Sequence, residues 1–372
     1  MQAENYRVFP ESGLPRRFLV EILIPMQNSL ISKISILLCF LSISCSAELK
    51  TIPLPACSKI AGMPGPEDIA IDRKEGLLYV SSHERRISDQ EGKLYVLNTV
   101  DPSPKPIPLV VDYPKPFHPH GISLLMKGNT YRLYVISHVV PFQEHSIEVF
   151  ERTSRPDQKS PTGTWKHIQT LKDPLLTSPN DLFVESENEI YVSNDHGQGG
   201  KFRYFLDDLF RSARSEISVY DGKSWSSLGN PLYYGNGILF IKRADGKEFL
   251  YRSGFMDRAV FKFPVDRSSG KIVLGEPKTI FVDTGTDNLE ADEKGRIFVV
   301  GHQSTWKFLR HLRNKDYPAP TQVFVINPDD TFKEIYANPG EEISAGSTAI
   351  SYKDKLYISQ VFNDYILDCS FQ

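Results

Sequence analysis

The sequence predicts an all-β chain folded as a six-bladed β-propeller, on three observations. First, six times a turn rich in Asp, Asn, His or Gly leads into a short apolar strand. These turns are Pro66-Glu67-Asp68-Ile69, Pro119-His120-Gly121-Ile122, Pro179-Asn180-Asp181-Leu182, Gly235-Asn236-Gly237-Ile238, Thr286-Asp287-Asn288-Leu289 and Gly346-Ser347-Thr348-Ala349. They recur roughly every 50–60 residues, a period that belongs to propellers and arrays rather than to one continuous sheet. Second, each is followed by a second strand rich in β-branched and aromatic residues, from Leu77-Leu78-Tyr79-Val80 to Lys355-Leu356-Tyr357-Ile358. Turn chemistry separates the two, as in Asp72-Arg73-Lys74-Glu75-Gly76 and Asp245-Gly246-Lys247. Third, most repeats carry a third strand, such as Lys93-Leu94-Tyr95-Val96-Leu97 and Gln322-Val323-Phe324-Val325-Ile326. Three or four antiparallel strands repeated six times describe a six-bladed propeller. No Trp-Asp dipeptide occurs, so the large class of scaffold propellers is not indicated.

The balance of residues is that of an ordinary globular protein. Of 372 residues, 40% are hydrophobic and 24% charged, with formal net charge −3. This slight acidity argues against a nucleic-acid partner, which needs a basic face.

The N-terminus differs from the rest. Residues 1–47 read as a leader and 48–372 as a single propeller domain. Within the leader, Ile34-Ser35-Ile36-Leu37-Leu38-Cys39-Phe40-Leu41 is short for a membrane span. Followed by Ser44-Cys45-Ser46-Ala47, it reads as the apolar region and small-residue cleavage site of a secretory signal. Met26 is the more usual start for such a signal. The competing reading is that residues 29–47 form an uncleaved anchor, or that Cys45 carries a lipid. The expected location is secreted or periplasmic, with membrane anchoring as the variant of that reading.

Outside the leader only Cys57 and Cys369 remain. Two cysteines at opposite ends of an exported domain are candidates for one disulfide, which in a ring would join the first and last strands. The alternative is two unrelated buried thiols. Two inserts break the strand pattern: Lys201 to Arg214 and Trp306 to Lys315 place apolar residues at helical spacing among basic ones. Both follow second strands, where a lid or simple surface packing is expected, with a membrane-surface role as the competitor.

In a propeller the first strand of each blade lines the central channel, so the leading turns converge. Glu67, Asn180, Asn236, Asp287 and Asn288 bring oxygens only, a set suited to a hard cation such as calcium. Zinc would want His or Cys. Any one of these residues alone is an ordinary turn residue; five at equivalent positions in four blades are not. Asp68 and Asp181 each directly follow a proposed ligand. Because neighbours on a strand point to opposite faces, they suit a second, deeper ion, or else cap turns. His120 sits in the second blade's leading turn and His138 follows that blade's second strand. As neighbours on adjacent strands they could hydrogen-bond and take a proton from water near neutral pH. The sixth turn, Gly346-Ser347-Thr348, supplies neither a metal oxygen nor a base.

Taken together, these segments resemble the paraoxonase/arylesterase family, secreted calcium-dependent lactonases. The resemblance spans Cys57 to Cys369 and includes Asn194-Asp195-His196 and Gly301-His302 beside the leading turns. It implies that Glu67, Asn180, Asn236, Asp287 and Asn288 hold a catalytic calcium. Asp68, Asp181 and the carbonyl of Ile122 match a structural calcium, His120 and His138 a catalytic dyad, and His302 a further active-site histidine. Cys57 and Cys369 match the ring-closing disulfide. The two helical inserts depart from the family pattern and leave substrate choice and lipid association open. The implied activity is hydrolysis of a lactone or aryl ester, with the amides of Asn180 and Asn236 helping to stabilise the oxyanion. The alternatives are a gluconolactonase-type sugar lactonase and a non-catalytic, calcium-stabilised interaction module.

Overall fold

The computed structural model describes residues 49–372 except 88–89, 110 and 154–163; the proposed leader lies outside the described residues. It is a six-bladed β-propeller. The first blade runs Pro66–Asp72, Leu77–Ser82, Lys93–Asn98 and Ile107–Pro108, each strand antiparallel to the one before. The second comprises Pro119–Lys127, Thr130–Val140, Glu144–Thr153 and Lys166–Leu171, and the third Pro179–Ser186, Glu189–Asn194, Ser215–Tyr220 and Trp225–Leu232. Gly235–Lys242 opens the fourth, Gly285–Ala291 the fifth and Gly346–Tyr352 the sixth. Two helices interrupt the pattern where the sequence predicts them: α1, Gly200–Phe210, and α2, Thr305–Arg313.

Apolar strands with both faces covered explain the blades' stacking. Leu77–Ser82 and Gly346–Tyr352 are buried along their whole length. The core is divided into wedges between adjacent blades. Ala70, Tyr79 and Leu94 of the first blade meet Leu133, Phe150 and Trp165 around the second. Val323 and Phe298 of the fifth meet Leu356 and Leu367 of the sixth. At about 25 cal/mol per Å² of apolar surface removed from water, each wedge stabilises both its blades at once.

The ring closes through the chain's own beginning. Ser58–Ala61 pairs antiparallel with Tyr365–Ser370, Ser58 opposite Asp368 and Ala61 opposite Tyr365, and so forms the outermost strand of the sixth blade. Cys57 and Cys369 are joined by a disulfide beside this pairing, with the sulfurs 2.02 Å apart.

What positions the site is a defect shared by all six inner strands. Each slips register against its neighbour within its first residues, between Pro66 and Asp68, Pro119 and Ile122, Pro179 and Asp181, Gly235 and Ile238, Thr286 and Leu289, and Gly346 and Ala349. The residues read as turns are therefore the bulged starts of strands. A bulge breaks strict alternation and re-aims side chains, so consecutive polar residues such as Glu67 and Asp68 can both turn toward the channel.

Candidate active site

Glu67 is the most connected of the leading residues. Its Oε1 accepts from Ser347 Oγ at 2.8 Å and lies 3.5 Å from both Asn288 Nδ2 and His120 Nε2. Arg85 Nη2 is 3.6 Å from Oε2. Burial alone would raise the Glu67 carboxyl, but His120, Arg85 and Ser347 outweigh it and bring it down to about 2. Asp287 accepts from His302 Nε2 at 2.7 Å through Oδ2. Two glycines let the blades approach this closely. A Cβ on Gly121 would lie 2.6 Å from the Asn180 carbonyl, and one on Gly237 2.7 Å from Asn288 Cα.

Asp68 and Asp181 serve as inter-blade ties. Asp68 Oδ2 accepts the Ile122 backbone N–H at 2.7 Å, and Asp181 Oδ2 accepts that of Ile238 at 2.8 Å. Burial first, and neighbouring carboxylates second, push both well above the usual carboxylate range. Glu290, which the sequence reading missed, also faces this acidic group, and its own burial takes it up to about 7. The sixth blade, read from the sequence as supplying neither a metal oxygen nor a base, has a part of its own. Thr348 Oγ1 donates to Asp68 Oδ1 at 2.7 Å, so Ser347 and Thr348 orient the first blade's two carboxylates.

The histidines form a longer chain than the sequence suggests. His120 Nδ1 lies 2.8 Å from His138 Nε2, and His138 Nδ1 lies 2.8 Å from His145 Nδ1. Burial, with His120 and His145 beside it, holds His138 well below the ordinary histidine range, and burial lowers His145 too. His196 is set apart: Asp195 and Asp208 take its two nitrogens at 2.8 and 3.0 Å. Burial disfavours the His196 cation, but these two carboxylates prevail and push it up to about 10.

Whether these residues suit a cation can be judged from their unused oxygens. Glu67 Oε2, Asn180 Oδ1, Asn236 Oδ1 and Asn288 Oδ1 are all buried without a hydrogen-bond partner. Buried oxygens are normally satisfied, and leaving each one unpaired costs about 1–3 kcal/mol. Four such atoms, drawn from four blades, fit a hard, oxygen-seeking cation. Among the described residues no three His, Cys, Asp or Glu side chains group to hold a metal by themselves; three of the five candidate ligands are amides.

Comparison with known proteins is decided by one match: residues 66–370 fit the family model described as Arylesterase. The chain belongs to the arylesterase family. Among its arylesterase relatives, serum paraoxonase/arylesterase 2 of Gallus gallus is 27% identical over 337 residues, covering 86% of this chain and 90% of that protein. Serum paraoxonase/lactonase 3 of Homo sapiens is 26% identical over 337 residues, covering 86% of this chain and 90% of that protein. The arylesterase match runs from the first inner strand to the strand that carries Cys369, so it takes in all six inner strands, and the closing strand Ser58–Ala61 precedes it.

Proposed function

We propose that this arylesterase-family protein is a calcium-dependent carboxylic ester hydrolase acting on lactones and aryl esters. The observation that carries the reading is the group of four buried oxygens without a hydrogen-bond partner, Glu67 Oε2, Asn180 Oδ1, Asn236 Oδ1 and Asn288 Oδ1, in the same ring of bulged strand starts as the His120–His138 pair. Family membership and the relatives named for arylesterase and lactonase activity support it.

Glu67, Asn180, Asn236, Asp287 and Asn288 would hold the catalytic calcium, and Asp68, Asp181 and the Ile122 carbonyl a second, structural one. Bound calcium supplies a Lewis acid for the substrate's carbonyl oxygen. His120, hydrogen-bonded to His138, takes a proton from water through Nε2 as the water oxygen bonds to the carbonyl carbon. That proton then passes to the departing alcohol or phenol oxygen as its bond to carbon breaks. The side-chain N–H groups of Asn180 and Asn236 donate to the developing oxyanion.

The test is a panel of phenyl acetate, simple aliphatic lactones and sugar lactones, assayed with calcium and after chelation. Turnover of the aryl ester and aliphatic lactones that chelator abolishes and calcium restores is expected. Failure to hydrolyse either with calcium present would overturn the reading, and turnover of sugar lactones alone would favour the gluconolactonase alternative. Export to an oxidising compartment is proposed alongside it, supported by the Cys57–Cys369 disulfide. Association with a lipid surface through α1 is proposed on a separate observation. That helix buries only Tyr204 and Asp207 and leaves Phe202 74%, Phe205 58% and Phe210 71% exposed.

A further inference from the structure

We propose that His145 is a positioning residue that sets the tautomer of His138, and through it leaves His120 Nε2 unprotonated as the base. The inference rests on the hydrolase reading for its kinetic consequence, but its geometry stands independently.

A neutral imidazole has one N–H and one acceptor nitrogen, so a row of neutral rings must pass protons in a single sense. Two contacts fix the row: His120 Nδ1 to His138 Nε2, and His138 Nδ1 to His145 Nδ1, both at 2.8 Å. Only two neutral arrangements satisfy both. In the first, His120 donates from Nδ1 to His138 Nε2, and His138 donates from Nδ1 to His145 Nδ1; the His145 proton then sits on Nε2. In the second, every donor and acceptor is reversed, and His120 carries its proton on Nε2, the atom that must be bare to accept one from water.

Within the His120–His138 pair each ring serves equally well either way. At the open end Glu67 Oε1 lies 3.5 Å from His120 Nε2, long for a hydrogen bond and already accepting from Ser347 Oγ at 2.8 Å, so it pulls only weakly toward the second arrangement. The choice lies with the far end of the row. His145 Nε2 is buried without a closed hydrogen bond, and the neighbouring group is the backbone of Thr177. The Thr177 carbonyl accepts from Tyr204 Oη at 2.8 Å, and the Thr177 backbone acts on the His145 ring in the sense of an acceptor, favouring its protonated form. A carbonyl can receive a proton and never give one, so it favours the proton on His145 Nε2 and with it the first arrangement. His145 also lines a cavity of about 690 Å³ together with Thr177 and Tyr204. The low proton affinity of His138 and His145, both held neutral by burial, agrees with a row of neutral rings.

A filling role for His145 and a polarity-setting role predict different variants. His145→Leu keeps an apolar bulk but removes the acceptor. His145→Asn replaces the ring's Nδ1 by an amide oxygen at a similar reach. Each would be assayed on whichever aryl ester or lactone the parent protein hydrolyses, with calcium present. In parallel, long-range proton–nitrogen NMR of protein labelled on histidine nitrogen reads the tautomer of His138 directly. Expected are a kcat lowered about tenfold or more in His145→Leu with KM within about threefold, and recovery to within about threefold of the parent in His145→Asn. The spectra are expected to place the proton of parental His138 on Nδ1, and to show a loss of that preference in His145→Leu. Unchanged kcat in His145→Leu, equal impairment of both variants, or a His138 proton on Nε2 in the parent would each overturn the proposal. Should the parent hydrolyse none of the substrates, the hydrolase reading fails, while the spectra still decide the tautomer.

Discussion

His120 touches both halves of the site, 3.5 Å from Glu67 on one side and 2.8 Å from His138 on the other. Replacing it with glutamine keeps hydrogen-bonding capacity and removes the base. His120→Gln is expected to lower kcat by about 100-fold, while calcium binding by calorimetry stays within about threefold of the parent; retained turnover would take the base role from His120. At His196 the prediction concerns stability. Its ordinary value of 6.5 is raised to about 10 in the folded chain because Asp195 and Asp208 overcome burial. A group with a raised folded value contributes stability that is complete below the unfolded value and lost as pH climbs through the folded one. The gap in urea midpoint between the parent and His196→Asn is therefore expected to be largest just below pH 6.5 and to shrink toward pH 10. A gap that stays level over that range would mean the imidazolium does not clamp α1 to the third blade.

The bulged starts of the inner strands are the element on which the site depends. Gly237 shows how little slack they have, since an added Cβ would meet Asn288 Cα and Leu289 N at 2.7 Å, backbone atoms that cannot swing aside. Gly237→Ala should push the fourth and fifth blades apart, at a cost of about 1–3 kcal/mol, and separate Asn236 from Asn288. Calcium titration by calorimetry is expected to show weaker binding than in the parent; unchanged affinity would mean that the two amides do not share a cation. The helix α1 carries a second prediction. With Phe202, Phe205 and Phe210 facing outward, the protein is expected to co-sediment with phospholipid vesicles. Phe202→Ser combined with Phe210→Ser should reduce the bound fraction several-fold. Equal binding by parent and variant would exclude α1 as the contact.

At the scale of the whole molecule, closure is the issue. The Cys57–Cys369 bond spans 312 residues and fastens the outermost strand of the sixth blade to its neighbour. Chain-entropy arguments put the cost of losing such a bond at about 2–5 kcal/mol. Cys57→Ser with Cys369→Ser is expected to unfold at lower urea than the parent, and an unchanged midpoint would mean that the strand pairing closes the ring unaided. The period of the leading turns, the oxygen-only ligand candidates and the two terminal cysteines were all legible in the chain, because each is a matter of residue type at a fixed interval. His145 was not. It lies in Glu144-His145-Ser146, where nothing in the residue types marks it. It meets His138 only because the strands slip register between Ser137 and Val140, two residues opposing one. The ties from Ser347 and Thr348 to Glu67 and Asp68 were hidden for a related reason, since those partners are about 280 residues apart and adjoin only once the ring closes. By itself, then, the sequence determined six blades, a channel lined with oxygens and a pair of histidines, because strand period and turn chemistry are local. Only the tertiary structure decided which oxygens stand unpaired, how far the histidine row extends and which face of α1 meets solvent. Those depend on bulges and blade contacts that form between residues distant in the chain.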